Sequence, residues 1–179
     1  MDLHPIETLQ SLGKDELIRI IVDDAKNWLA HDGLWFQAIE RRHGMDAAIE
    51  ADRAAWEQFT VIEATRIMDR LGMKPGGGIP ALLRCLEQRF YARLNTQDAV
   101  EVTETRAVFR MRECRVQSAR RRKGLPDFPC KPVGLVEYAG FARTIDPRIR
   151  TRCISCPPDA GSGEVACAWE FSLEASAGE

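Results

Sequence analysis

No apolar run in the sequence approaches the ~18 residues needed to cross a bilayer, so no segment is expected to span a membrane. The first ten residues, MDLHPIETLQ, lack a basic stretch followed by an apolar one, which argues against a secretory signal and for a cytoplasmic protein. Neither sign of charge prevails: 25 Lys and Arg stand against 27 Asp and Glu, a net charge of −2, so the basic excess of a dedicated nucleic-acid binder is missing. The low hydrophobicity of a disordered chain is missing too. Of the 179 residues 45% are apolar, enough for one domain with a core and too few residues for two. There is no internal repeat.

What is present divides by periodicity. Residues 1–94 carry helical spacing. Leu17, Ile18, Ile21, Val22, Ala25, Trp28 and Leu29 predict a helix over 14–29, interrupted at His31-Asp32-Gly33 and followed by a short helix over 34–42. A third helix is expected over 46–71, with Ala47, Ala51, Ala54, Val61, Thr65 and Met68 on its packed stripe and Gly72 closing it. Pro75-Gly76-Gly77-Gly78 breaks the chain, and a fourth helix starts near Pro80, burying Ile79, Leu82, Leu83, Leu86 and Phe90. Residues 95–174 switch to period two. Val100 and Val102 alternate, as do Ala107, Phe109 and Met111 with Arg106, Arg110 and Arg112 opposite them, which predicts two half-buried strands around a turn at Glu104-Thr105. A short basic helix over 115–123, a helix over 133–144 and a hairpin of 148–154 with 166–173 follow, and the tail 175–179 should fray. The expected fold is a single α+β domain, N-terminal helices packed on a C-terminal antiparallel sheet with two further helices.

Five of the six cysteines fall in the second half: Cys114, Cys130, Cys153, Cys156 and Cys167. In a reducing compartment such clustering points to metal binding or catalysis rather than disulfides. Cys153 and Cys156 form a C-x-x-C pair, a spacing that turns two sulfurs toward one tetrahedral ion, and Cys167 stands across the expected hairpin as a third ligand. Thiolate-rich ligation favours zinc, with an iron–sulfur cluster as the alternative. A catalytic thiol pair and plain core cysteines are the competing readings; Cys167 shares its strand face with Trp169, Phe171 and Leu173, and Cys85 lies on a buried helix face.

Other residues invite chemistry. His31 beside Asp32, among tryptophans at a helix break, is a candidate proton-transfer site, against the simpler reading of a local cap. Glu40-x-x-His43 matches half of a carboxylate di-iron signature without its second copy. Arg115, Arg120, Arg121, Arg122 and Lys123 offer a surface for a carboxylate or phosphate. Asp159, next to Cys156, is a candidate acid or base in a loop.

Seven stretches together carry a family likeness. Trp28-Leu29-Ala30-His31-Asp32-Gly33-Leu34-Trp35, taken with Cys114-Arg115, Gly124 to Pro132, Glu137-Tyr138, Ile145 to Ile149, Cys153 to Asp159 and Cys167 to Phe171, resembles an uncharacterised bacterial family of small cytosolic proteins. Cys114, Cys130 and Cys167-Ala168-Trp169-Glu170-Phe171 are also similar to features of the L-2-amino-thiazoline-4-carboxylic acid hydrolase-like family, and more distantly to the 4-vinyl reductase-like domains. Those likenesses imply a small-molecule pocket between sheet and helices. The expectation is a metal- and small-molecule-binding domain. The alternative is a thiol- or metal-assisted hydrolase of a small C–N or C–S compound, with His31 or Asp159 as acid/base partner. A homodimer through the N-terminal helices is the expected assembly.

Overall fold

The structure, a computed structural model, describes residues 5–159 and 164–173; the tail expected to fray at 175–179 lies outside the described residues, as does part of the loop after Cys156. A short helix α1 (Pro5–Gln10) precedes two long ones, α2 (Lys14–His43) and α3 (Met45–Leu71). Gly44, at φ 88°, is the single residue between them and turns the chain back on itself. Such a φ is open to glycine and costly for other residues. Gly72 ends α3 in the left-handed conformation, as its position in the sequence predicts.

The expected interruption at His31-Asp32-Gly33 is corrected. α2 runs unbroken through it. A mid-helix glycine costs about 1 kcal/mol relative to alanine, and aromatic packing on both sides exceeds that. Trp28 stacks on Phe59 at 5.5 Å and Phe36 lies 4.6 Å from Phe128. The expected stripe of α3 is corrected as well. Ala51, Ala54, Val61 and Thr65 are exposed, and the buried face carries Ala48, Trp56, Thr60, Glu63, Ala64, Ile67 and Met68. That face was hidden because two of its members are polar. Thr60 donates from Oγ1 to the Glu137 carbonyl at 2.8 Å, and Glu63 meets a buried arginine.

Helix α4 (Gly78–Leu86) begins with Pro80 in its first turn and ends before Phe90, which instead opens a 3-10 turn (Phe90–Arg93). Strands β1 (Thr96–Val100) and β2 (Arg106–Glu113) form the first hairpin. Helices α5 (Arg115–Arg122) and α6 (Lys131–Ile145) follow, then β3 (Ile149–Ser155) and β4 (Cys167–Leu173). All pairings are antiparallel, in the order β1-β2-β4-β3. The α+β expectation is met and both hairpins are present, but the first strand is corrected: it spans Thr96–Val100, and Val102, expected on its buried side, is exposed beyond its end. Ala107, Phe109 and Met111 are buried, while the opposite face is crossed by ion pairs such as Arg110–Asp98 at 2.7 Å.

Helix α6 is the middle layer. Its Phe141 and Ile145 meet Trp169 and Phe171 of the sheet in one core. It touches both neighbours closely enough that a Cβ on Gly134 would stand 2.6 Å from the Trp169 ring, and one on Gly140 2.6 Å from the Thr60 methyl. The sheet therefore lies on one side of α6 and α3 on the other.

Candidate functional site

Between the helical hairpin and the sheet lies a cavity of about 560 Å³, within the ~300–1,000 Å³ usual for small-molecule sites. Its sheet side is a cluster of sulfur, and the strand order explains why. The C-terminal ends of β2 and β3 flank the N-terminal end of β4, so Cys114 after β2, Cys156 after β3 and Cys167 at the start of β4 come to the same edge. Met111 pairs with Cys167 in register, and Ala166 donates its N–H to the Met111 carbonyl at 2.7 Å. The Lys131 N–H bonds the Pro157 carbonyl at 2.9 Å, which brings Cys130 to Cys156; their sulfurs are 3.5 Å apart. Gln117 of α5 fixes the loop that carries Cys130: its amide donates to the Phe128 carbonyl at 2.7 Å and accepts from the Phe128 N–H at 2.9 Å. Nothing in the sequence marked Gln117.

Cys114, Cys130, Cys156 and Cys167 thus line one wall. Cys153 does not. The C-x-x-C pair is split, with Cys156 turned to the cavity and Cys153 kept on its strand near Lys131 and Asp159. The thiols also differ electrostatically. Burial raises Cys114 to about 12. The neighbouring Cys130 and Cys167 sulfurs raise Cys156, with burial adding to the effect. Cys167 is shifted the other way: the neighbouring Cys156 and the Trp169 indole N–H, which donates to it at 3.4 Å, outweigh its burial. Cys167 is the sulfur best prepared to carry negative charge. Among the described residues no group of three or more His, Cys, Asp or Glu side chains is arranged to hold a metal ion.

The helical side of the cavity is acidic. Asp32 of α2, Asp52 of α3 and Glu137 of α6 line it. Burial raises the pKa of all three; Asp52 reaches about 7, pushed further by Asp32 and Glu137 and eased by a hydrogen bond with Trp56. Beneath them the buried Arg89 donates from Nε to Glu63 at 2.8 Å and brings Nη2 to 2.7 Å from Glu137 Oε1. The second approach is close but not along a hydrogen-bond direction, and Glu137 Oε1 has no hydrogen-bond partner. Burial opposes the charge on Arg89, but Glu63, Glu137 and Tyr138 outweigh it and keep the guanidinium protonated. Asp52 and Glu137 were not singled out for chemistry in the sequence, because on a helix they resemble ordinary surface acids.

The remaining candidates fall elsewhere. His31 is exposed and 6.5 Å from the Trp35 ring, outside the cavity lining; its neighbour Asp32 turns inward instead. Asp159 is a surface residue paired with Lys131 at 2.7 Å. Glu40, the half-signature carboxylate, is taken by a two-pronged contact with Arg120, both bonds at 2.8 Å. The basic run is correspondingly divided: Arg120 is buried in that pair, Arg121 binds Asp127, and Arg115, Arg122 and Lys123 remain on the exposed rim.

A family model spans almost all of this arrangement, matching residues 10–173. The chain belongs to DUF6125, a family of unknown function. The match takes in both walls of the cavity, from Asp32 to Cys167. Neither the curated proteins nor the solved structures contain a match, so the hydrolase and vinyl-reductase likenesses gain no support from them. No helix among the described residues is long and apolar enough to cross a membrane.

Proposed function

We propose that the protein binds a small molecule in the cavity between its helical hairpin and its sheet, and that the Cys167 thiolate is the group presented to it. The observation that carries this reading is the Trp169 indole N–H donated to the Cys167 sulfur at 3.4 Å, at a cavity wall that Cys156 shares. A thiolate is the reactive form of cysteine, and fixed donors favour it. The thiol-assisted hydrolysis implied by the family likeness would use this same sulfur as nucleophile.

Iodoacetamide labelling of anaerobically purified protein tests the reading. At about pH 7, Cys167 should be modified before the other cysteines. Cys156→Ala should slow that modification about tenfold, the effect of losing roughly one charge-assisted hydrogen bond. Labelling that begins at Cys153 or Cys114, or that ignores the Cys156 change, would overturn it.

The sulfur spacing favours a second reading, a zinc protein. Two thiolates on one tetrahedral zinc, each ~2.3 Å from it, stand ~3.8 Å apart, and Cys130 and Cys156 are at 3.5 Å. A third ligand, Cys167 or Cys114, would have to turn inward. Metal analysis of the same preparation separates the two. Stoichiometric zinc that is lost in Cys130→Ser supports this second reading, and a metal-free protein with accessible thiols supports the first.

A further inference from the structure

The thiol wall leaves the opposite side of the cavity unexplained. Three carboxylates face it, from three different helices: Asp32, Asp52 and Glu137. Among the described residues neither Asp32 nor Asp52 has an ion-pair partner. Glu137 has only Arg89, which it shares with Glu63, so the interior group holds four acids and one base. The Glu137 side chain is nine-tenths buried, and its Oε1, 2.7 Å from Arg89 Nη2, receives no well-directed hydrogen bond. Half-buried carboxylates without an ion-pair partner, as Asp32 and Asp52 are, are costly to keep charged. They line one open volume, and the missing partner is most simply a cation that enters it. The cations on the rim, Lys26, Arg115, Arg122 and Lys123, are exposed and do not reach this group. Trp56 and Tyr91 complete the same wall, and aromatic faces also attract positive charge.

We infer that the helical wall is a cation subsite: Asp32, Asp52 and Glu137 receive the protonated amine or amidine of a small aromatic ligand, whose remainder extends toward the sulfur wall. The inference rests on the cavity being a ligand site, and it adds the charge and class of what binds there. It requires no reaction at Cys167.

The probes are 2-phenylethylamine and its neutral counterpart 2-phenylethanol, which are nearly the same size and differ in charge. Their binding is followed through the indole N–H NMR signals of Trp56 and Trp169, which line the cavity, with the exposed Trp35 as control. At about pH 8 the amine should bind about tenfold more tightly than the alcohol, a gain typical of one charge-assisted contact. Asp52→Asn should remove most of that preference, and Asp32→Asn part of it, while leaving the alcohol unaffected. The unchanged Trp35 signal and thermal unfolding of each variant report that it is folded. Equal affinity for the two probes, or a preference indifferent to both substitutions, overturns the cation subsite. If in that case both probes are expelled by Ala119→Trp, which fills the cavity from α5, the ligand cavity itself survives. If neither probe moves Trp56 or Trp169, both readings fall.

Discussion

Arg89 shows how much of this protein is decided by single side chains. It is 2% exposed, yet it sits between Glu63 and Glu137 with its guanidinium 4.7 Å from the Phe141 ring centre and near those of Trp56, Tyr91 and Tyr138. Removing one member of a buried charge group costs more than the group contributes, because the remaining charges stay desolvated. Arg89→Met should therefore destabilise the fold by about 3–5 kcal/mol, measured by urea unfolding. Adding Glu63→Gln should recover part of the loss, since the pair of substitutions leaves one fewer orphan charge. A loss under about 1 kcal/mol would mean that the arginine is as dispensable as a surface ion pair. In the sequence Arg89 is one basic residue after a helix, with no partner in view. Its acids are 26 residues before it and 48 after it, and only the fold makes them neighbours.

At the level of elements, the legible parts were those with local signatures. The period-two runs located β2 and β4 and assigned Ala107, Phe109 and Met111 to the buried face, and Gly72 and Pro80 marked helix ends correctly. The failures came where tertiary contacts override a local cue. Gly33 resembled a break, but α2 continues because it is held against α3 and the Phe128 loop. The two kinds of helical glycine predict opposite outcomes. Gly33→Ala places its Cβ no nearer than 4.0 Å to any neighbour, and should stabilise the protein by about 0.5–1 kcal/mol. Gly134→Ala drives a Cβ to 2.6 Å from the Trp169 ring, and should destabilise it by about 1–3 kcal/mol as α6 is forced off the sheet. Thermal unfolding of the two variants side by side checks the contrast. An equal effect of the two would show that α6 is not held tightly against β4. The cysteine convergence was half legible. Their clustering is plain in the sequence, but which four share a wall depends on the strand order β1-β2-β4-β3 and on place along each strand: Cys153 lies within β3 opposite Trp169, short of the edge that Cys156 reaches.

For the molecule as a whole, the acidic wall sets the response to pH. The folded-state pKa values of Asp52, Asp32 and Glu137 all lie above their ordinary values, so the native state binds protons more strongly than the unfolded chain. Stability from this source is present in acid and is lost as pH rises from the usual carboxylate range through about 7, where Asp52 ionises. Unfolding free energy should therefore decline between about pH 5 and 8. Asp52→Asn should flatten the decline and raise stability at the alkaline end by up to about 4 kcal/mol, the equivalent of a shift of roughly three pH units. Urea titrations at a series of pH values measure it, and a curve unchanged by the substitution would remove Asp52 as its source. The wall was hidden in the sequence because burial of an acid leaves no mark in local periodicity.

The contact between the Cys130 and Cys156 sulfurs has a practical side. A disulfide brings two sulfurs to ~2.05 Å, so little more than side-chain rotation separates the thiol pair from a covalent bridge. Exposure to air would then staple two cysteines 26 positions apart, closing a loop that contains all of α6 and all of β3, a cross-link worth about 3 kcal/mol in stability. It would also consume the Cys156 thiol that shares the wall with Cys167. Oxidised preparations would thus be sturdier and chemically blunter than fresh ones, and heat resistance would be a misleading guide to which sample is intact.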